Sequence, residues 1–116
     1  MIDYALDTPW GRWEVLFESS VCKIKRIIVA PGNRLSYQKH FRRSETWVVV
    51  EGVATVTLDG EVTDFFPGDV VKIPCEMAHR VGNFGSVQLV FIEVQRGDYF
   101  GEDDIVRLED DYGRAS

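Results

Sequence analysis

Short runs of alternating apolar and polar residues, separated by turn residues, dominate this chain. The runs are rich in β-branched side chains, and glycine, proline, asparagine or aspartate stands between them. Alternation with a period of two is typical of strands that bury one face. It predicts strands or extended segments at 21–30, 35–40, 46–50, 54–58, 62–66, 70–73, 78–81 and 87–94.

The turns between these runs have equally specific chemistry. Asp59-Gly60 separates two alternating runs and is a strong signal for a two-residue hairpin. Pro31-Gly32-Asn33 and Pro67-Gly68-Asp69 are also typical turns. No ten-residue segment shows a convincing helical period. Many short strands at even spacing therefore predict an all-β sandwich or jelly-roll barrel.

The two ends of the chain differ from its middle. With 116 residues the chain is expected to form one domain, with an N-terminal arm at about 1–14 and an acidic C-terminal arm at about 97–116. Ile105, Val106 and Leu108 interrupt the charges of the second arm. They favour an arm docked on the barrel over a disordered tail.

Composition and charge exclude several classes of protein. The formal net charge of −6 and the pI of about 4.8 argue against a nucleic-acid partner, although a few arginines can still bind a small anion. No apolar run approaches the roughly 20 residues that cross a bilayer, and no signal peptide is evident. Cys22 and Cys75 form no CxxC pair. We expect a cytoplasmic protein with reduced thiols and no membrane partner.

Four polar side chains fall where the predicted turns would bring them together. Gln38 and His40 lie two residues apart on an extended segment, so their side chains share a face. A hairpin would return Glu45 beside His40, and a second hairpin after Pro74 would present His79 to the same interior. Two imidazoles, a carboxylate and an amide oxygen suit one divalent metal ion, zinc foremost, with Mn²⁺, Fe²⁺, Co²⁺ or Ni²⁺ as alternatives.

Each of these residues also has a more ordinary interpretation. A single glutamine in a barrel is usually a surface residue, a single histidine is usually a core residue, and Glu45 alone would be a solvated turn carboxylate. The chain has two histidines, and both fall in this pattern. That coincidence, together with the placement of the turns, favours a metal site.

The two stretches that carry these residues resemble the two motifs of the cupin superfamily. Gly32–Gly52 resembles the first motif, whose three ligand positions are occupied here by Gln38, His40 and Glu45. Gly68–Asn83 resembles the second, with His79 as its ligand. Most cupins have a histidine in place of Gln38, and the phosphomannose isomerases are known for this glutamine.

The flanks narrow the resemblance to one family. Pro9–Glu14 is similar to the Pro-Trp-Gly start of the type II mannose-6-phosphate isomerase domain. Its C-terminal signature is matched by 93–95, Gly97, Tyr99, 101–107 and 109–114. That signature is much more specific than the cupin motifs. The chain is identified as a member of this family from about residue 9 to 114. The resemblance implies a cupin jelly-roll barrel, also called a double-stranded β-helix.

A few positions depart from the family pattern. Glu76 stands where the second motif usually has glycine, so we expect an altered turn there. Phe41, Arg42 and Thr46 replace histidines that the family often has, which changes the surroundings of the site but leaves the four ligands intact. The nucleotidyltransferase domain that commonly precedes this cupin is absent from the sequence, so we expect another protein to make any sugar nucleotide.

The resemblance implies an enzyme of carbohydrate metabolism that interconverts mannose 6-phosphate and fructose 6-phosphate. The reaction moves a proton between neighbouring carbons through an enediolate, whose charge a metal ion stabilises. The alternative is a cupin module that binds metal or sugar without catalysis. A metal-dependent oxygenase is a third possibility, which Gln38 weakens because such iron sites favour histidine-rich sets.

Further residues are candidates for the chemistry. Arg107 carries over as the family's catalytic arginine. Lys25 and Glu93 are candidates for proton transfer or substrate contact, the alternatives being a solvent-facing lysine and a buried, paired carboxylate. The candidates for binding the sugar phosphate are Arg43, Arg34 and Tyr99; solvated roles for the arginines and an arm-holding role for Tyr99 are the alternatives.

The resemblance also implies a homodimer, because small cupins often pair. Six aromatic residues are expected in the core or at that interface: Trp10, Trp13, Trp47, Phe65, Phe66 and Phe91.

Overall fold

All the regular elements of residues 2–115, the part of the chain described by a computed structural model, are β-strands. Met1 and Ser116, the outermost residues of the two predicted arms, lie outside the described residues. The strands are β1 (Tyr4–Thr8), β2 (Gly11–Glu18), β3 (Cys22–Val29), β4 (Tyr37–Lys39), β5 (Arg43–Glu51), β6 (Ala54–Leu58), β7 (Glu61–Phe65), β8 (Val70–Ile73), β9 (His79–Gly82), β10 (Leu89–Gly97) and β11 (Val106–Glu109).

The strands form two facing antiparallel sheets. One has six strands in the order β1-β2-β3-β10-β5-β8, and the other has five in the order β11-β4-β9-β6-β7. Alternate residues of β3 and β5 are buried between the sheets, as the period of two predicts. The all-β jelly-roll barrel expected from the sequence is confirmed. Its apolar core comprises Trp10, Ile27, Val29, Trp47, Val49, Ala54, Val56, Val71, Ile73, Val81, Leu89 and Phe91.

The two hairpins expected around the polar cluster are wrong. β4 and β5 belong to different sheets, and so do β8 and β9. The segments around His40 and Pro74 therefore turn corners between the sheets instead of joining paired neighbours. Glu45 pairs with Ile73 in one sheet, while Gln38 pairs with His79 in the other. The polar residues consequently meet across the interior of the barrel.

Both predicted arms contain strands. Residues 4–18 form a hairpin of β1 and β2 that extends the six-stranded sheet beside β3. The sequence pattern missed these strands because Pro9-Trp10-Gly11 interrupts the segment and the consecutive apolar residues Val15, Leu16 and Phe17 break the alternation. In the C-terminal arm, β11 pairs with β4 and completes the five-stranded sheet at that edge.

The turn at Glu76 keeps a conformation that glycine adopts readily. The φ angle of Glu76 is 66°, in the left-handed region that side chains disfavour. Its amide donates a hydrogen bond of 2.7 Å to the carbonyl oxygen of His40. This bond ties the two inter-sheet corners to each other.

The aromatic residues divide between core and surface. Trp10, Trp47 and Phe91 are buried, and two of the others, Trp13 and Phe65, pack against the core. Phe66 is 53% exposed and does not belong to the core. Within residues 2–115 no helix has the length and apolar character that crossing a membrane requires.

Two glycine substitutions separate backbone strain from steric overlap. Gly52 and Gly60 have φ angles of 81° and 88°, but a Cβ on Gly52 would lie 2.7 Å from the carbonyl oxygen of Gln88, whereas a Cβ on Gly60 would meet nothing within 4 Å. Gly60→Ala is expected to lower the free energy of unfolding by about 1–2 kcal/mol. Gly52→Ala should cost roughly 1–3 kcal/mol more because the backbone must shift. Urea unfolding measures both, and equal losses would contradict this packing.

Candidate metal centre

A cavity of about 170 Å³ lies between the two sheets and is lined mainly by charged and polar side chains. Strands of both sheets and the C-terminal arm contribute to its wall. The ionisable and amide groups among the lining residues are Lys25, Gln38, His40, Arg43, Glu45, Glu93, Glu102, Arg107 and Arg114.

Three of the four predicted ligands meet beside this cavity. One ligand atom from each of His40, Glu45 and His79 lies within 4.8 Å of the others, and all three side chains are buried. Nε2 of His40 is 3.4 Å from Oε2 of Glu45. Gln38 is the direct cross-strand partner of His79, so the two side chains share the inner face of the sheet.

The backbone sets which ring nitrogen of each histidine faces the site. Nδ1–H of His40 donates to the carbonyl oxygen of Asp104 at 2.7 Å, and Nδ1–H of His79 donates to that of Met77 at 2.9 Å. Both Nε2 atoms then direct a lone pair inward. Among the described residues, Nε2 of His79 has no hydrogen-bond partner although it is buried. Burial lowers the pKa of His40 to about 4, against the attraction of Glu45.

These observations match what a divalent cation requires of its ligands. Burial favours the neutral form of His40, the outer nitrogens of both imidazoles are held by carbonyl oxygens, and the unpartnered Nε2 of His79 lies near the neighbouring ligands. A carboxylate and an amide complete a mixed nitrogen and oxygen set. The residues present therefore fit a metal ion.

Two buried carboxyl groups share one donor. Nε1–H of Trp47 lies 2.9 Å from Oε1 of Glu45 and 3.0 Å from Oε1 of Glu93. Burial opposes ionisation of Glu45, but His79, Arg43 and His40 outweigh it and hold the pKa of Glu45 well below its usual range. Burial, and then the charge of Glu45, raises the pKa of Glu93 to about 8. One carboxyl is thus ionised and its neighbour protonated.

The predicted catalytic residues Lys25 and Arg107 both line the cavity. Nζ of Lys25 lies 3.0 Å from Oε2 of Glu102 and 4.1 Å from the ring centroid of Trp13. Arg107 is different, because its buried Nε finds no acceptor within residues 2–115. Burial and the neighbouring Arg114 lower the pKa of Arg107. Arg107 therefore offers the cavity a guanidinium donor that residues 2–115 leave without an acceptor.

The three predicted phosphate contacts separate in the structure. Arg43 lines the cavity and is 5% exposed. Arg34 lies outside the cavity, where its guanidinium makes two hydrogen bonds to Asp111 of the C-terminal arm, at 2.6 and 2.9 Å. Tyr99 also lies outside it and donates a hydrogen bond to Asp103. Arg34 thereby attaches the arm to the barrel, whereas the hydrogen bond of Tyr99 lies within the arm.

Sequence reasoning missed two cavity residues, Glu102 and Arg114. Glu102 neutralises Lys25, and Arg114 is held by two hydrogen bonds to Asp110, at 2.7 and 3.0 Å. Both lie in the C-terminal signature, and the family specificity of that signature was the feature of the sequence that could have identified them as site residues. An arm that served only to dock on the barrel would be expected to carry apolar residues at these positions, so the charges of Glu102 and Arg114 indicated a role in the site.

Asp104 connects the arm to the metal ligand His40. Besides the carbonyl that accepts from His40, its carboxylate accepts hydrogen bonds from the amides of Phe41 and Arg42, each at 3.0 Å. The corner that follows β4 is therefore held in place by the arm, and with it the orientation of His40.

Comparison with known proteins agrees with this arrangement. Residues 3–110 match the family described as "Mannose-6-phosphate isomerase C-terminal". The chain is 42% identical over 106 residues to a mannose-1-phosphate guanylyltransferase of Salmonella montevideo, covering 91% of this chain and 22% of that protein. It is 46% identical over 107 residues to the xanthan biosynthesis protein XanB of Xanthomonas campestris, covering 92% and 23%.

A solved structure gives the same fold. The Cupin 2 conserved barrel domain protein of Salinispora arenicola superposes with a TM-score of 0.66 and 27% sequence identity, over 73% of this chain and 74% of that one. The chain spans about a fifth of the length of the curated relatives it matches. It belongs to the cupin family of mannose-6-phosphate isomerase C-terminal domains.

The protonation of Glu93 makes stability depend on pH. The unfolded chain ionises this carboxyl near pH 4.5 and the folded protein near pH 8, so the folded state holds the extra proton in between. The free energy of unfolding should fall by about 2 kcal/mol from about pH 6.5 to 8; below that range the opposite titration of His40 offsets the effect. Glu93→Gln cannot ionise and should remove this loss.

Chemical denaturation of chelator-treated protein at several pH values measures the effect. Glu61→Gln, at an exposed position on β7, is the control and should keep the wild-type slope. A wild-type slope in Glu93→Gln would contradict the retention of a proton by Glu93 in the folded protein.

Proposed function

We propose that this chain is a metal-dependent isomerase that interconverts mannose 6-phosphate and fructose 6-phosphate. The observation that carries the proposal is the set of groups around one cavity: two imidazoles whose Nε2 atoms face inward, an ionised carboxylate, a protonated carboxyl and an arginine whose buried Nε has no acceptor among the described residues. The family match supports the same reaction.

The metal would be held by Gln38, His40, Glu45 and His79, with zinc the first candidate and manganese, cobalt, nickel or iron as alternatives. When bound there, it would stabilise negative charge that develops on the sugar oxygens. The orphaned Nε2 of His79 is the chief support for this assignment.

Lys25 and Glu93 supply the groups for proton transfer. They are direct cross-strand partners on β3 and β10, and both side chains line the cavity. A carboxyl with a pKa of about 8 exchanges its proton readily near neutral pH. We assign Glu93 as the group that moves the proton and Lys25 as a contact to the sugar.

Arg107 and Arg43 supply cationic donors for the anionic substrate. Nε of Arg107 and Nη1 of Arg43 are buried and lack acceptors among residues 2–115. Unpaired buried donors are costly, so a site that contains two of them is suited to a ligand with several acceptor oxygens. A sugar phosphate and its enediolate have such oxygens. We assign Arg107 to the enediolate and Arg43 to the anionic substrate.

We also propose that the protein works in a reducing compartment such as the cytoplasm. Cys22 and Cys75 are both free thiols, and Cys75 is exposed. Exposed free thiols are typical of reducing compartments.

The homodimer implied by the sequence is a further proposal, with the six-stranded sheet as its interface. Eight aliphatic side chains form what we call the outer stripe, on the face of this sheet opposite the core: Ile24, Ile28, Val48, Val50, Val70, Val90, Ile92 and Val94. Cross-strand pairs such as Ile24 with Val94 and Val48 with Val70 make it continuous. The proposed partner is a second copy, because a two-fold axis brings the same apolar stripe from both chains together.

Activity and metal content should respond differently to two substitutions. A coupled assay with mannose 6-phosphate and added Zn²⁺, Mn²⁺ or Co²⁺ should show turnover by the wild type. His79→Ala should lose both metal and activity, because it removes a ligand. Arg107→Ala should keep the metal and lose roughly 100-fold or more in kcat/KM. Arg96→Ala, exposed on β10, is the control and should remain active.

Two results would contradict the assignment. A fully active Arg107→Ala would exclude Arg107 from catalysis. If no metal supports turnover but calorimetry shows that the sugar phosphate binds, the chain is instead the non-catalytic binding module.

The outer stripe predicts the effect of a single charge on oligomeric state. Light scattering after gel filtration should show a dimer for the wild type and a monomer for Val48→Glu, because burying an unpaired carboxylate opposes association. Val62→Glu, at an exposed valine of the other sheet, should remain dimeric. A monomeric wild type, or dissociation of both variants alike, would contradict the interface.

A further inference from the structure

The guanidinium of Arg43 contacts the same ligand atoms that a metal ion would use. Its Nε donates to Oε2 of Glu45 at 2.9 Å, and its Nη2 donates to Nε2 of His40 at 3.2 Å. Because Nδ1 of His40 already donates to a backbone carbonyl, Nε2 carries the lone pair, and the arginine occupies it.

The local sequence explains this placement. Arg43 and Glu45 are two residues apart on β5, so both side chains face the interior. The other carboxylate oxygen of Glu45 accepts from Trp47, which leaves Oε2 as the oxygen facing His40, 3.4 Å away. The arginine therefore joins the two atoms whose convergence defines this side of the metal centre.

The contact between Arg43 and Glu45 matters because both charged side chains are buried. The side chains of Glu45 and Arg43 are 2% and 5% exposed. An ionised carboxylate at such depth is strongly unfavourable without a compensating cation. Arg43 supplies a cation to Glu45, although its own Nη1 is left without an acceptor among the described residues.

We infer that Arg43 is a built-in competitor for the metal: it occupies Oε2 of Glu45 and Nε2 of His40 in the metal-free protein and is displaced when a divalent cation binds. One lone pair cannot serve both cations, and their like charges repel at this distance. This inference rests on the metal centre of the proposed function but is independent of the isomerase reaction.

Competition by Arg43 should lower the affinity of the site for a metal ion. Part of the binding free energy of the ion is used to break the Arg43 contacts, so the observed affinity is lower than that of the ligands alone. Removing the arginine should tighten metal binding and also destabilise the metal-free protein, because Glu45 then lacks its counter-charge. A residue that merely supported the ligands would weaken binding when removed.

The test uses Arg43→Met, which keeps the length of the side chain and removes its charge and donors. After chelator treatment, Zn²⁺ binding is measured by competition with a chromophoric chelator. We expect Arg43→Met to bind Zn²⁺ at least about tenfold more tightly than the wild type. Its metal-free thermal midpoint should be lower, and the rise in midpoint on adding Zn²⁺ should be larger than in the wild type.

Two further variants keep the inference falsifiable. Arg43→Lys retains the charge without the two-pronged contact and should have an intermediate affinity, which provides the test if metal-free Arg43→Met does not fold. Arg26→Met removes one of the two arginine partners of another buried carboxylate, Glu14, on the outer face and should lose stability without any change in Zn²⁺ affinity.

The outcomes separate the inference from the proposed function. Unchanged or weaker Zn²⁺ binding in folded Arg43→Met and Arg43→Lys would overturn the competition and leave the metal centre standing. Absence of Zn²⁺ binding by all the proteins would overturn both. Tighter Zn²⁺ binding in Arg43→Met supports the competition even if turnover is lost, because the loss of turnover reports on the reaction and not on metal affinity.

Discussion

An ionised carboxylate buried beside two imidazoles is the constraint on which the rest of this structure depends. Glu45 lies inside a barrel whose core is otherwise largely aliphatic and aromatic, and its charge must be balanced at short range. The barrel meets this need with hydrogen-bond donors and cations from β5 itself. Trp47 binds one oxygen and Arg43 the other. The same requirement is what makes the site suitable for a metal ion.

The C-terminal arm contributes to this balance as much as the barrel does. It orients His40 through Asp104, neutralises Lys25 through Glu102, and brings Arg107 into the cavity on β11. Its charged residues are therefore components of the site. This explains why a surface arm carries the most specific part of the family signature: besides apolar contacts such as that of Tyr112 with the core, it makes polar contacts to the barrel that each need a particular partner.

The sequence predicted which side chains of each strand face the interior better than it predicted which strands pair with each other. A period of two shows which side chains are buried, and so Gln38, His40 and Glu45 were placed in the interior. It does not show which strand pairs with which, and both hairpins expected around these residues proved to be corners between sheets. The contacts of Arg34 with Asp111 and of Lys25 with Glu102 join residues 77 positions apart. No local pattern specifies such pairs, which is why Glu102 was missed and Arg34 was considered for the substrate.

The position of β4 has a consequence for how the protein opens. This strand of three residues carries Gln38 and precedes His40, and its neighbours are β9 on one side and β11 of the arm on the other. Detachment of the arm would expose one edge of β4 and break the bond between His40 and Asp104 while the apolar core stayed intact. Such sub-global opening costs less than complete unfolding. Such opening would expose the amide hydrogens of this ligand-bearing edge to exchange with solvent without unfolding of the whole barrel.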